Sequence, residues 1–179
     1  MLSYLIKRKI KKLLKNTSAR RQKRFWDYRE VDSIAFLTEQ SQLDDLRPLM
    51  RNLLDEGLQV FVVVLNTTKN SIDWKYPATA VLELTSRNLL WRKSWPDKEV
   101  KTDFMAIPAK ILCDLTTKEY LPLLCLAGIS MAEMKLGIEK NSWPLYDFSL
   151  APLHSESSSE LAENLFFYWR SIDIKDNNS

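Results

Sequence analysis

The strongest pattern in the chain is a continuous apolar run at residues 59–65, with the sequence Gln-Val-Phe-Val-Val-Val-Leu. A run this rich in β-branched residues is typical of a strand that is buried on both faces of a parallel sheet. Shorter apolar runs of the same character predict further strands at 33–38, 79–84, 110–115 and 134–138. A sixth strand is expected at 146–150, where the weaker pattern favours a place at the edge of the sheet.

Helical periodicity fills the segments between these strands. A helix is predicted from Ser41, with Pro48 marking a kink or the start of its main part and Gly57 just past its end. Its inward positions are Leu43, Leu46, Met50, Leu53 and Leu54. An apolar helix is predicted at 118–129, and a short one is expected within 102–109.

The clearest helix lies near the end of the chain, where Ser157 and Glu160 have the spacing of a capping box. An apolar stripe follows and is expected to face the core, at Leu161, Leu165, Tyr168, Trp169 and Ile172. The helix is predicted to end before a polar tail.

Strands that alternate with helices imply crossover connections and two helical layers around a sheet. We therefore predict an α/β fold, a three-layer sandwich with a mostly parallel sheet of five or six strands (Rossmann-like or flavodoxin-like), preceded by a basic N-terminal helix. The predicted organisation is a basic arm at 1–28, a single α/β domain at 29–174 and a polar tail at 175–179.

Charge is divided unequally between arm and domain. Residues 1–24 contain ten Lys or Arg and no acid, whereas the remaining 16 bases and 23 acids leave the rest of the chain with a net charge of −7. The arm is predicted to be helical from Leu2 to about Lys15, with Leu2, Ile6, Ile10, Leu13 and Leu14 on its apolar face. The cations expected to meet an outside anion are Lys7, Arg8, Lys11, Lys12, Lys15, Arg20, Arg21, Lys23 and Arg24.

Three interpretations of the arm remain open. It contacts the phosphates of RNA, DNA or a ribosome; or it lies on an anionic membrane as an amphipathic helix; or it packs its apolar stripe on the domain and exposes a lysine-rich face without a partner. Phe25 and Trp26 follow the second basic cluster and mildly favour nucleic acid, because aromatic rings can stack on bases. The basic, Trp-containing segment 87–98 has two interpretations: a nucleic-acid surface that complements the arm, or a structural one in which Trp91 and Trp95 cover the sheet edge. The structural role is favoured.

The leading hypothesis is a non-enzymatic cytoplasmic module that binds RNA or a ribosomal surface. Peripheral membrane attachment is the first alternative. No apolar stretch approaches the roughly 20 residues that a membrane-spanning helix requires. The two cysteines, Cys113 and Cys125, lie within apolar runs and are expected to be small core residues in a reducing compartment.

The second alternative is a small enzyme with a pocket beyond the carboxyl ends of the strands, where α/β sheets usually bind ligands. Thr38 and Thr67 are expected at this edge, and the predicted pocket residues are Glu39, Asn66, Asp114 and Thr116. Asp114 is interpreted as a cation ligand or base, or, in the favoured structural role, as an acceptor for N–H groups at the start of the next helix.

Catalytic motifs are lacking. Only three glycines occur and none lies in the segment directly after the first strand, Thr38 to Gln42, which argues against a phosphate-cradling loop. The single histidine, His154, is expected in an exposed loop, and the sequence predicts no catalytic residue, cofactor or metal site.

A basic N-terminal helix comes first in the chain, and four motifs follow it: Thr-Ser-Arg-Asn-Leu-Leu-Trp at 85–91, Ile-Leu-Cys-Asp-Leu at 111–115, Ala-Gly-Ile-Ser-Met-Ala at 127–132 and Lys-Leu-Gly-Ile at 135–138. In these features the chain resembles a family of small uncharacterised bacterial proteins, chiefly from the Bacteroidetes. Relatives tend to have Phe-Asp-Leu-Leu-Ile in the second of these motifs. The resemblance covers nearly the whole chain and implies the same fold in a bacterial cytoplasm, without an assigned activity.

Overall fold

A computed structural model describes residues 2–68, 72, 77–90, 92–140, 143–152 and 157–172. The predictions for Trp91, His154 and the tail 175–179 concern residues outside these ranges. Among the described residues, one six-stranded sheet and five α-helices form the fold, together with a two-stranded hairpin.

Six of the eight strands in the described ranges follow the predicted runs closely. The eight are β1 (Ser33–Glu39), β2 (Gln59–Leu65), β3 (Ala80–Leu84), β4 (Leu89–Leu90), β5 (Trp95–Pro96), β6 (Ile111–Asp114), β7 (Met134–Ile138) and β8 (Phe148–Leu150). The six-stranded sheet has the order β3-β2-β1-β6-β7-β8 and every pairing in it is parallel. Without the β4–β5 hairpin this is the doubly wound order 3-2-1-4-5-6, so the predicted fold is confirmed in its Rossmann-like form.

The helices form a layer on each side of the sheet. They are α1 (Leu2–Ser18), α2 (Leu43–Asp55), α3 (Lys98–Met105), α4 (Leu121–Ile129) and α5 (Ser158–Ser171). Alternate strand residues face the two layers: Ile34 and Phe36 of β1 pack toward α2 and α5, whereas Ala35 and Leu37 pack toward α1, α3 and α4.

Helix α1 belongs to the second of these layers. Ile6 and Ile10 are at most 1% exposed, Leu14 is 9% exposed, and the side chains of Ile10 and Leu14 lie over Gly128 of α4. The apolar stripe of the predicted arm is therefore packed on the domain, as the third interpretation expected. The helix also continues one turn further than predicted, through Asn16 to Ser18.

Several predicted boundaries are wrong for local reasons. Helix α3 begins four residues before the predicted range because Asp97 caps it, accepting the N–H of Val100 at 2.9 Å. Helix α4 begins at Leu121 rather than residue 118, with Pro122 in its first turn as expected. The β4–β5 hairpin lies in a segment for which no strand was predicted.

The last helix confirms its capping box, in which Ser157 and Glu160 bind each other's backbone N–H groups. Tyr168, however, was wrongly placed on the inward stripe. It is 51% exposed, and Phe166, at 2%, is buried instead. The side of α5 that faces the core is defined by its buried positions, which are 161, 162, 165, 166 and 169. Tyr168 lies just outside this side of the helix. The Gly57 prediction holds, since its φ of 91° is in the left-handed region that ends helices.

Candidate functional site

The solvent side of α1 presents a row of exposed cations. Arg8, Lys12 and Lys15 are spaced i, i+4 and i+7, on the side of the helix opposite its buried apolar stripe. All three are exposed, as is Arg20 just beyond the helix, and none of the four side chains forms an ion pair or hydrogen bond within the described part of the chain. These charges are therefore available to an outside anion.

The lysines at the margins of this row hold α1 on the domain. Lys7 Nζ lies 2.6 Å from Glu119 Oε2. Lys9 and Lys11 lie over aromatic rings, with Nζ 4.4 Å from the centroid of Trp95 and 5.7 Å from that of Trp143, respectively. Lys11 remains exposed beside the row, and within the described part of the chain no carboxylate pairs with its ammonium group. The contacts of Lys7 and Lys9 thus hold α1 in place and with it the row of exposed cations.

The second basic cluster behaves differently from the first. The Arg21 side chain is 3% exposed, its Nη2 lies 2.5 Å from Asp147 Oδ1, and Lys23 Nζ lies 3.2 Å from the same oxygen. Arg24 pairs with Glu30 at 2.9 Å. Because the protein's own carboxylates neutralise Lys7, Arg21, Lys23 and Arg24, we leave them out of the contact surface. We call the remaining set the basic face, made of Arg8, Lys11, Lys12, Lys15 and Arg20.

The tryptophans near these cations are not open to stacking. Trp26 is 8% exposed, with the Arg24 guanidinium 3.6 Å from its ring centroid, and its Nε1 donates to Glu133 at 3.1 Å. Trp95 is 4% exposed and has Lys9 and Lys101 over its ring. Both rings serve to pack the N-terminal segment and the hairpin, so neither is open to a base. Phe25 is 37% exposed, with its ring centroid 6.4 Å from that of Phe148 in an edge contact, so stacking on Phe25 stays a prediction.

At the carboxyl edge of the sheet, Asp114 is the centre of a buried polar cluster. Its Oδ2 lies 3.0 Å from Lys140 Nζ and accepts a 2.6 Å hydrogen bond from Tyr146 Oη. Its Oδ1 accepts the N–H and the hydroxyl of Thr116 at 2.9 and 2.6 Å. The side chains of Asp114 and Lys140 are 0% and 1% exposed. The carboxylate is fully bonded and buried, which supports its structural role.

That role differs in one detail from the expected one. Asp114 accepts the N–H of Thr116 in the turn after β6, not an N–H of the following helix, which begins only at Leu121. Tyr146 fits beside it because the opposite strand position is Gly137, where an added Cβ would meet the ring at 2.7 Å. Burial, reinforced by the Asp114 charge, raises the pKa of Tyr146 well above its ordinary value, so the phenol stays protonated.

Glu39 and Asn66 belong to two other networks at the same edge. Glu39 accepts a hydrogen bond from the Tyr120 hydroxyl, and burial raises the pKa of this phenol. Gln42 accepts the N–H of Glu39 at 3.3 Å and donates to the Leu115 carbonyl at 3.1 Å. Asn66 donates to Glu83 at 2.6 Å. The four predicted pocket residues thus lie at one edge but do not share one site.

A cavity of about 440 Å³ opens at this edge, between the end of β2, the segment 86–94 and the start of α4. Asn66 lines it, as does the neighbouring Thr67, while Glu39 reaches it only through Tyr120, which forms part of its wall. Lys93 also lines it and has a φ of 64°, in the left-handed region. The walls are mixed in character: leucine and proline side chains alternate with hydroxyl and amide groups, and Lys93 and Glu119 add a charge of each sign.

Sequence reasoning missed Lys140, Tyr146 and Tyr120. Lys140 follows the end of β7 by two residues and so belongs to the same edge as Asp114. Listing polar residues after every predicted strand would have found it. Tyr120 and Tyr146 lie in connections whose paths cannot be inferred from strand ends.

None of the helices in the described ranges has the length and apolar character needed to cross a bilayer.

The chain belongs to a family of unknown function, DUF6913, whose sequence model matches residues 3–172. No curated protein and no solved structure matches it. The resemblance to an uncharacterised family is thereby confirmed, while the bacterial origin that it implied stays a prediction.

Proposed function

We propose that this member of the family is a non-enzymatic cytoplasmic binding module whose basic face contacts the phosphates of RNA or of a ribosomal surface. The observation that supports the proposal is the one-sided row of exposed cations on α1, in a segment that contains no acid. The 17-residue helix is about 25 Å long and is held on the domain along its apolar side. It therefore presents its charges on a rigid surface.

The arrangement carries an electrostatic cost that a bound anion would remove. Arg8 and Lys12 are four residues apart on one helix, and so are Lys11 and Lys15, and like charges at this spacing destabilise a helix. Phosphate groups at the basic face would offset that repulsion and release the counterions bound to the nucleic acid. Binding is therefore expected to weaken steeply as salt rises.

Peripheral membrane attachment is less well supported, because the apolar face of α1 is already used. Insertion of the helix into a bilayer would require Ile6, Ile10 and Leu14 to leave their contacts with the domain. What remains of this alternative is electrostatic adsorption to anionic lipid.

The enzyme alternative rests on one observation, the 440 Å³ cavity at the carboxyl edge. Its size is within the range of small-molecule sites, and its place agrees with the general rule for parallel sheets. Asp114, the acid most suggestive of chemistry, is fully bonded elsewhere. A binding pocket without catalysis is the form of this alternative that the geometry favours.

The test is a matched pair of charge reversals, Lys12→Glu on α1 and Arg51→Glu on α2. Both residues are exposed within helices, neither has a partner within the described residues, and the change in net charge is equal. Affinity for a mixed-sequence RNA oligonucleotide is measured by fluorescence anisotropy over a salt series. We expect Lys12→Glu to weaken binding roughly tenfold and to lower the magnitude of the log–log salt slope by about 0.7, and Arg51→Glu to bind like the unaltered protein.

Point reversals are preferred to deletion of residues 1–24, because deletion would also remove Ile6, Ile10 and Leu14 from the core. Equal RNA affinities for the two variants would contradict the proposal, as would RNA binding that does not respond to salt. Flotation with vesicles that contain anionic lipid separates the membrane alternative. Vesicle binding without RNA binding would favour that alternative.

A further inference from the structure

The outward side of α5 exposes two large aromatic residues beside a groove. Phe167 is 64% exposed and Tyr168 is 51% exposed, with their ring centroids 5.6 Å apart. The groove runs between α2 and α5, has a volume of about 490 Å³ and includes Pro48 and Leu49 in its walls. Aromatic side chains exposed next to an apolar groove are typical of protein–protein contact surfaces.

Charges on the same surface are arranged to complement a second copy. Glu163 and Arg170 both line the groove and lie on either side of Phe167, about one helical turn away. If two α5 helices met antiparallel about a two-fold axis near Phe167, Glu163 of each copy would face Arg170 of the other. A two-fold symmetric interface requires this reciprocity: if one residue of the first copy contacts a second residue of its partner, the same contact occurs with the two copies exchanged.

Both charged groups have free capacity for such a contact. Arg170 uses Nη2 for its bonds to Glu56, at 2.9 Å, and to the Tyr28 hydroxyl, while its Nε and Nη1 donate to nothing in the described ranges. Its side chain is 41% exposed. Glu163 accepts a 3.4 Å hydrogen bond from Ser159, and no cation pairs with it there.

We propose that α5 and the groove beside it form a two-fold interface with a second copy of this chain, in which Phe167 of each copy enters the groove of the other. Helices α1 and α5 lie on opposite faces of the sheet, so the basic face stays open in the dimer. The inference goes beyond the proposed function and does not depend on it.

The test is a mixing experiment with two charge reversals, Glu163→Arg and Arg170→Glu, followed by sedimentation velocity over a concentration series. The unaltered protein is expected to be a dimer. Each variant alone brings like charges together twice, so its dissociation constant is expected to rise roughly tenfold or more. An equimolar mixture restores both ion pairs and is expected to form heterodimers.

Two further variants check that the effect belongs to this surface. Phe167→Asp is expected to be monomeric with an unchanged circular dichroism spectrum. Tyr4→Asp, which alters a 70% exposed aromatic residue on α1, is expected to stay dimeric.

The proposal is overturned by a monomeric unaltered protein, by a Phe167→Asp dimer or by a mixture that gives no heterodimer. Dimers that form only after removal of residues 173–179 would assign the groove to the chain's own tail and would also overturn it.

Discussion

Two groups of cations, the basic face and a buried set beside β6 and β7, have similar side chains in opposite environments. Arg20 belongs to the first group and its side chain is exposed without a partner among the described residues, whereas the next residue, Arg21, is buried and pairs with Asp147. Lys135 and Lys140 complete the buried set, at 3% and 4% exposed. The comparison teaches that a basic cluster is not uniform, because some of its charges stabilise the fold and only the rest are available to a partner.

The buried cations are bonded within the structure, and each joins two different segments of the fold. Lys135 Nζ donates to the Ala127 carbonyl at 2.7 Å, which ties β7 to α4. Arg21 fixes the end of the N-terminal segment to the residues before β8. Burial opposes the ionisation of Asp147, but hydrogen bonds from Arg21, the Lys135 N–H and Lys23 together keep the pKa of that carboxyl low.

The largest effect is expected where both charges are buried, at Asp114 and Lys140. Asp114→Asn leaves the ammonium facing an amide, and Lys140→Met leaves the carboxylate without its cation. Each change is expected to lower the free energy of unfolding by roughly 3–5 kcal/mol, measured by urea denaturation. The double variant removes both charges. Its loss of unfolding free energy is expected to be smaller than the sum of the two single losses by about 1 kcal/mol or more.

The control for this prediction is Asp103→Asn, at an exposed position on α3 that has no partner within the described residues. Its effect is expected to stay within about 0.5 kcal/mol. Losses at Asp114 and Lys140 as small as that of the control would show that the cluster does not stabilise the fold.

The adjacent pair Arg20 and Arg21 tests the comparison most directly. Arg21→Met leaves the Asp147 carboxylate, which is 16% exposed, with only the exposed Lys23 as a cation. We expect a loss of about 3 kcal/mol, because removing one partner of a buried pair leaves an uncompensated charge. Arg20→Met is expected to change stability by less than about 0.5 kcal/mol. Thermal and urea unfolding measure both variants. Similar losses of stability for the two would show that the buried cations and the basic face do not differ in their contribution to the fold.

A smaller effect concerns the pH dependence of stability. Burial, with repulsion from Arg21, lowers the pKa of Lys135 from 10.5 to about 7, against the opposing attraction of Asp147. Between these values the unfolded chain holds the proton and the folded protein does not, so stability rises with pH. Below about pH 7 both states are protonated and the cost of burying the charge is fully present.

Lys135→Met removes this contribution. The difference in unfolding free energy between the variant and the unaltered protein is expected to shift in favour of the unaltered protein as pH rises from about 7 to about 10. Urea denaturation at several pH values measures it. A difference that stays constant over this range would show that Lys135 keeps its ordinary pKa in the fold.

The fold was predictable because a strand that is buried on both faces has apolar residues at nearly every position, and this run is visible in the sequence. The runs at β2 and β7 were predicted to the residue, and Ser157 and Glu160 marked the start of α5. The hairpin was not predictable, since strands of two residues are too short for a periodic pattern. Tyr168 was misplaced because helical spacing defines a stripe only to within one position at its border.

The candidate sites were also predictable only in part. The amphipathic character of α1 and the position of Asp114, Glu39 and Asn66 at one edge followed from spacing and strand direction alone. The partners of Asp114 and Arg21 did not. Tyr146 and Lys140 approach Asp114, and Asp147 approaches Arg21, across gaps in sequence that only folding closes.

Local order along the chain was thus sufficient to establish which segments are strands or helices, which sides are apolar and that the first 24 residues contain only basic charges. Whether each of those charges meets water or a carboxylate was determined by the folded arrangement. Electrostatic neutralisation acts over a few ångströms of space, and the residues that come that close, such as Lys7 and Glu119, are separated by most of the domain in sequence.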